Sequence, residues 1–166
     1  MRDDALLDDL LEANAIHAAH FPRHGEASAP RRRLAVLTCM DARLDPLAML
    51  GLEPGDAVIL RNAGARATED AVRSLALASA LLRVDHLMLI GHTRCRLTAE
   101  NDEAIRAAIR DAGGPDTRDI AFLAAADAAA AVRDEVAKLR SLPFLQQLHV
   151  DGFLYDVDTG RIDHIS

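Results

Sequence analysis

The sequence predicts an α/β fold in three layers: a mostly parallel sheet, of about four parallel strands plus an antiparallel edge strand, flanked by helices. From Leu34 onward, short apolar runs that suit buried strands alternate with helical segments. Near the C-terminus, two alternating segments flank the turn Asp158-Thr159-Gly160, which predicts a hairpin. The chain has 166 residues, half of them hydrophobic, so we expect residues 1–166 to form a single domain with its own core.

An amphipathic helix is predicted from Asp3 to about His20, with acidic residues at its N-terminus. Its apolar stripe consists of Leu6, Leu7, Leu10, Leu11 and Ile16. The following segment, Phe21 to Arg33, contains two prolines, a glycine and three consecutive arginines and is expected to be a connecting arm. We predict that this helix and arm, residues 1–33, pack on a partner subunit; a strap across the chain's own surface is the alternative.

The remaining elements follow from apolar runs, caps and turn residues. Strands are predicted at Leu34–Thr38, Asp56–Leu60, His86–Gly91, 148–156 and 161–165. Helices are predicted after Asp45-Pro46, from Thr68 to about Arg83, over Glu100–Asp111 and over the alanine-rich segment Ile120–Arg140. Strands that alternate with helices pair in parallel, and their carboxyl ends then meet at one edge of the sheet.

Composition argues against several classes of partner. The net charge is −7, aromatic residues make up 3% and there is no Trp, which argues against nucleic acid binding. No apolar run is long enough for a membrane span, and the acidic start Met1-Arg2-Asp3-Asp4 is unlike a signal peptide. We therefore expect a cytoplasmic protein whose two cysteines serve metal binding or catalysis rather than a disulfide.

Both cysteines lie in polar clusters that directly follow predicted strands. Cys39 follows the first of these strands, and His92 and Cys95 follow the third. Two thiolates and an imidazole suit one Zn²⁺, whose charge the thiolates cancel, and one coordination position stays open. Water or the Asp41 carboxylate can fill it, while Arg43 offers that carboxylate a competing bidentate partner. Two buried thiols without a metal are the alternative interpretation.

The motifs Cys39-Met40-Asp41-Ala42-Arg43, Arg61-Asn62-Ala63-Gly64 and His92-Thr93-Arg94-Cys95 closely resemble those of the β-class carbonic anhydrases, in particular the short bacterial members. The resemblance implies one Zn²⁺ per chain on Cys39, His92 and Cys95, with Asp41 and Arg43 as the catalytic dyad. It implies reversible hydration of carbon dioxide to bicarbonate and a proton by zinc hydroxide. The competition between zinc and Arg43 for Asp41 adds that Asp41 can be a fourth ligand in a closed state. It also implies a homodimer or a dimer of dimers.

One residue departs from the family pattern. Members usually carry glycine directly after the second zinc cysteine, and this chain has Arg96. The arginine can narrow the pocket, bind an anion, alter the substrate or point into solvent. Two alternatives therefore stay open: a hydrolase of carbonyl sulfide or carbon disulfide on the same site, and a catalytically silent zinc-binding homologue. A zinc-free nucleotide-binding domain is disfavoured because no glycine-rich fingerprint follows the first strand.

Overall fold

A computed structural model describes residues 4–22 and 27–166. It contains a five-stranded sheet with the order β2-β1-β3-β4-β5. The strands are β1 (Leu34–Cys39), β2 (Ala57–Asn62), β3 (His86–His92), β4 (His149–Tyr155) and β5 (Ile162–His164). Pairing is parallel from β2 through β4, and β5 runs antiparallel to β4 at one edge. The predicted fold class is therefore confirmed.

The two central strands are apolar along almost their whole length. In β1 every residue after Leu34 is buried, and most of β3 is buried too, because helices cover both faces of a parallel sheet. Close packing against one of these helices requires glycine in two strands. A Cβ atom added at Gly91 would lie 2.6 Å from Val132 Cγ2, and one at Gly152 would lie 2.8 Å from Val132 Cγ1.

The helices are α1 (Asp4–Ala19), α2 (Pro46–Leu50), α3 (Glu69–Leu81), α4 (Arg96–Ala99), α5 (Asp102–Asp111) and α6 (Ala128–Ser141), and a 3₁₀ turn covers Pro143–Leu145. Several begin at the caps that the sequence indicates. Asp45 and Thr68 accept hydrogen bonds from backbone amides of α2 and α3, and Pro46 occupies the first turn of α2. The short helix α4, directly after Cys95, was not predicted. Among the described residues, no helix is both long enough and apolar enough to span a membrane.

The prediction of a helix over Ile120–Arg140 is wrong for residues 120–127. Helix α6 begins only at Ala128, with Asp127 as its cap. The preceding residues are held without helical structure because the Asp102 carboxylate accepts hydrogen bonds from the amides of Phe122 and Ala124, each at 2.9 Å. Leu123 between them has a φ of 60°, which interrupts any helix. Tertiary contacts thus override the helix propensity of the alanines.

The described part of the N-terminal arm is bound to its own chain by the three arginines. Arg31 and Arg32 pair with Asp56, and Arg33 pairs with Asp85. The start of the predicted helix at Asp3, and the arm residues 23–26, lie outside the described residues. In α1 the leucines at positions 6, 7, 10 and 11 and Ile16 are 53–67% exposed in the isolated chain.

Candidate metal centre

The carboxyl ends of β1 and β3 bring three potential metal ligands together. Cys39 is the last residue of β1, His92 is the last residue of β3, and Cys95 is the N-cap of α4. The two strands are adjacent and parallel, and Arg94, with a φ of 54°, turns the chain between His92 and Cys95. The ligand atoms of the three buried residues lie within 4.8 Å of one another. This donor set and this spacing suit tetrahedral zinc.

His92 is oriented as a metal ligand. Its ring is 1% exposed, and Nδ1 lies 2.9 Å from the carbonyl oxygen of Thr93, which fixes the tautomer with the proton on Nδ1. The other ring nitrogen, Nε2, then carries a lone pair. It is buried and has no hydrogen-bond partner within residues 4–22 and 27–166. A buried lone pair next to two thiols is the environment that a zinc ion requires, so the residues fit the metal.

The two thiols are strongly coupled to each other. The neighbouring Cys95 thiol holds the pKa of Cys39 well below its ordinary value despite its burial. The neighbouring Cys39, together with burial, raises the pKa of Cys95 far above its ordinary value. The pair therefore retains one proton near neutrality, and a divalent cation that binds both sulfurs has to displace it.

Asp41 and Arg43 form a bidentate ion pair beside these ligands. Arg43 Nε donates to Asp41 Oδ1 at 2.9 Å and Nη2 donates to Oδ2 at 2.7 Å. These hydrogen bonds hold the pKa of Asp41 well below its usual range. The two side chains meet where the chain turns after β1, with the Leu44 amide donating to the Asp41 carbonyl at 3.0 Å. Asp41 Oδ2 lies 3.8 Å from His92 Nε2, so the carboxylate borders the ligand cluster.

The motif Arg61-Asn62-Ala63-Gly64 lines the centre rather than only shaping a loop. Arg61 Nε donates to the carbonyl of Cys39 at 3.0 Å, and Nη2 donates to the carbonyl of Asp41 at 2.7 Å. The Gly64 amide donates to Cys39 Sγ at 3.3 Å. Gly64 has a φ of +78°, and an added Cβ would lie 2.7 Å from Leu97 Cδ1, so both its conformation and the space demand glycine.

Arg61 could have been assigned to the site from the sequence. It is the penultimate residue of β2, and β2 is adjacent and parallel to β1, so its end lies at the same edge of the sheet as Cys39. The signal was the position of the motif after the second predicted strand. Its specific contacts, to two backbone carbonyls, carry no sequence signature.

Apolar side chains surround the ligands, and Arg96 does not enter this environment. The two cysteines pack with Leu44 and Leu97, and partly buried Met49, Ile105, Phe122, Ala124, Tyr155 and Val157 lie around them. The Arg96 side chain is 78% exposed, and its Nη2 lies 2.7 Å from Glu100 Oε1 one turn later. Of the roles considered for Arg96, the structure supports the one in which it points into solvent.

Comparisons with known proteins agree with this fold. The sequence model of the carbonic anhydrase family matches residues 34–162. The β-carbonic anhydrase 1 of Mycobacterium tuberculosis is 33% identical over 162 residues, covering 96% of this chain and 97% of that protein. The crystal structure of carbonic anhydrase from Streptococcus mutans has a TM-score of 0.89 at 34% identity and covers 96% of this chain and 97% of its own.

A third relative, named carbon disulfide hydrolase, comes from Acidithiobacillus thiooxidans. It is 28% identical over 151 residues, which cover 79% of this chain and 76% of that protein. The five-stranded fold and the buried Cys-His-Cys cluster are those of an α/β protein with a potential metal centre. This chain belongs to the β-carbonic anhydrase family.

Proposed function

We propose that the protein catalyses the reversible hydration of carbon dioxide to bicarbonate and a proton, with one Zn²⁺ per chain on Cys39, His92 and Cys95. The observation that carries the proposal is the buried Nε2 of His92, which has no hydrogen-bond partner among the described residues and lies in a cluster with two thiols. Zinc in this position supplies the Lewis acidity that makes water nucleophilic near neutral pH. The family membership of the chain supports the reaction.

The chain's own residues orient the reactants. Asp41 is ionised and offers carboxylate oxygens as acceptors for the proton of the attacking water, while Arg43 holds it in place through two hydrogen bonds. Arg61 donates hydrogen bonds to the carbonyls of Cys39 and Asp41 and so fixes the positions of these two residues relative to each other. The apolar surroundings suit a small apolar substrate and strengthen the electrostatic interactions by excluding water.

Asp41 has a second partner available. Its Oδ2 lies 3.8 Å from His92 Nε2, so the carboxylate, once released by Arg43, could serve as a fourth ligand to a metal held there. With a metal bound, Asp41 held by Arg43 would leave a coordination position to water, whereas Asp41 on the metal would close it. The described arrangement is the one in which Arg43 holds the carboxylate.

Carbon disulfide is the second candidate substrate, because one relative carries the name carbon disulfide hydrolase. The direct test compares one zinc-loaded preparation on carbon dioxide, by stopped-flow detection of proton release, and on carbonyl sulfide and carbon disulfide, by sulfide release. We expect carbon dioxide to give the highest kcat/KM. Sulfide release faster than carbon dioxide hydration would assign the chain to the hydrolases instead.

Zinc affinity is expected to fall as the pH falls. Near pH ~8 the metal-free cysteine pair holds one proton, so the zinc dissociation constant should increase about tenfold for each unit of decreasing pH. Burial lowers the pKa of His92, but the neighbouring anions and the Thr93 carbonyl together raise it above its ordinary value, so at lower pH a second proton competes and the slope becomes steeper. Competition with a chromogenic chelator from pH ~6 to pH ~9 measures this slope; a flat profile would contradict the proposed ligands.

Replacement of Arg96 with glycine tests whether this residue blocks catalysis. Because the side chain is exposed and pairs with Glu100 outside the centre, we expect the kcat/KM of Arg96→Gly to stay within about twofold of wild type, the range usual for surface changes. Glu100→Gln is the matched control, since it breaks the same ion pair and leaves Arg96 in place. An inactive wild type together with an active Arg96→Gly would support the catalytically silent alternative.

We also propose that the single domain of residues 1–166 self-associates through its N-terminal helix. The exposed apolar residues of α1 form a patch whose contact with water is unfavourable, and such patches mark surfaces that bind a partner. The family includes the enzymes of Sordaria macrospora, whose structures are described as tetrameric. Burial of α1 against a second copy would give a homodimer or a dimer of dimers.

Deletion of residues 1–20 is expected to reduce the oligomer to monomers, because it removes the apolar stripe of α1. Size-exclusion chromatography with light scattering measures the mass. The matched control replaces Asp8 and Asp9 with asparagine, which alters the polar residues of the same helix and should leave the mass unchanged. A wild-type monomer at micromolar concentration would contradict the proposal.

A further inference from the structure

A buried arginine lies next to the metal centre, and one of its N–H groups has no hydrogen-bond acceptor among the described residues. Arg66, in the loop between β2 and α3, is 6% exposed. Its Nη1 lies 3.7 Å from Glu135 Oε1 on α6, a distance too long for a hydrogen bond. Its Nε is buried and has no hydrogen-bond partner in the part of the chain that the structure describes. Buried N–H groups are nearly always paired with protein or ordered water, so this donor requires an acceptor.

A small cavity adjoins this donor. Its volume is about 20 Å³, and its walls include Gly64, Arg66, His92, Cys95, Thr98 and Val132. A Cβ atom built on Gly64 would lie 3.3 Å from Arg66 Nε, so the nitrogen faces the wall that Gly64 forms. A cavity of about this volume holds one water molecule, since the minimum is about 10–15 Å³, and it is too small for a polyatomic anion.

Other residues of the cavity wall offer acceptors for a water molecule. Thr98 Oγ1 uses its proton to donate to the carbonyl of Cys95 at 2.8 Å, so its lone pairs are available to accept. The carbonyl oxygen of Ala128 lies 3.8 Å from the position of a Cβ on Gly91, another residue of the cavity wall. One donor and two acceptors match the number of hydrogen bonds that a buried water typically makes.

Arg66 borders a second, open space as well as the cavity. Arg66 and Ala131 also line an open cleft of about 330 Å³, formed with residues 123–127 and the first turns of α6. The ion pair with Glu135, on the cleft side, keeps the guanidinium between the two spaces.

We propose that this cavity is a structural water site, in which one water accepts a hydrogen bond from Arg66 Nε and donates to Thr98 Oγ1. The water joins the loop that carries Gly64, whose amide contacts Cys39, to α4, which begins directly after Cys95. It therefore supports two of the elements that hold the proposed ligands. The site depends on the packing of these side chains and not on the reaction that the centre catalyses.

High-resolution crystal structures of the zinc-loaded full chain test the site. Wild type is expected to show one density peak within hydrogen-bond distance of both Arg66 Nε and Thr98 Oγ1. Thr98→Val removes the acceptor with little change in shape and should lose the peak. The matched control Thr117→Val, a buried threonine outside the cavity wall, should keep it.

Two results would overturn the proposal. One is a wild-type cavity without density, or with Arg66 Nε donating to a protein acceptor. The other is a peak that persists in Thr98→Val with Arg66 unmoved.

Arg66→Met in a Glu135→Gln background, which avoids leaving the carboxylate unpaired, should also lose the peak. Thr98→Val decides the question if that double variant does not fold.

Discussion

Replacing His92 with alanine is expected to abolish zinc binding and carbon dioxide hydration together. His92 supplies the only nitrogen of the proposed ligand set, and its Nε2 is the buried atom that the structure leaves without a partner among the described residues. Two thiolates alone form an incomplete site, so zinc content should fall from about one ion per chain to a small fraction of that. Elemental analysis after gel filtration measures the content.

His86→Ala is the matched control for this change. His86 is the first residue of β3 and His92 the last, so the two histidines lie at opposite ends of the same strand. His86 is stacked on His149 and is largely exposed, and it should be replaceable without loss of zinc or activity. Equal zinc content in His92→Ala and His86→Ala, with both folded by circular dichroism, would refute the ligand assignment.

Replacing Arg43 with alanine is expected to lower kcat/KM about 100-fold or more while zinc content stays unchanged. The loss follows because Arg43 makes two hydrogen bonds to Asp41, and a displaced carboxylate can neither orient water nor leave the fourth position open. Arg43→Lys keeps the charge but not the planar fork, so we expect it to recover only part of the activity. Stopped-flow hydration with metal analysis of the same samples measures both quantities.

The control for Arg43 is another arginine–aspartate pair of the same chain. Arg73 donates to Asp70 at 2.8 Å on α3, and both side chains are largely exposed. Arg73→Ala should leave kcat/KM within about twofold, because exposed ion pairs contribute little. If Arg43→Ala retained the activity of Arg73→Ala, Asp41 would not depend on Arg43 and the proposed switch would be wrong.

The fold and the ligand cluster were predictable because local patterns and strand order act together. Buried parallel strands are continuous apolar runs, so β1 and β3 could be placed within one residue at their carboxyl ends. Polar residues that directly follow such strands must meet at one edge of the sheet. Cys39, His92 and Cys95 are therefore predicted to lie together, and the structure does bring them together.

The contacts that could not be predicted are those between distant side chains and backbone. Asp102 accepts hydrogen bonds from the amides of Phe122 and Ala124, so α6 begins only at Ala128 although alanines favour a helix before it. The pairing of Arg66 with Glu135 joins positions far apart in the chain that share no periodicity. Such contacts depend on how α6 packs on the sheet, and local propensity contains no information about that packing.

Zinc content and carbon dioxide hydration, measured on one purified sample of the full-length wild-type chain, test the central claim most directly. The account predicts about one zinc per chain and a hydration rate that disappears when a chelator removes the metal and returns when zinc is restored. A folded chain that contains no zinc after expression in zinc-replete medium would contradict it. So would a zinc-loaded chain that does not hydrate carbon dioxide at any pH between ~6 and ~9.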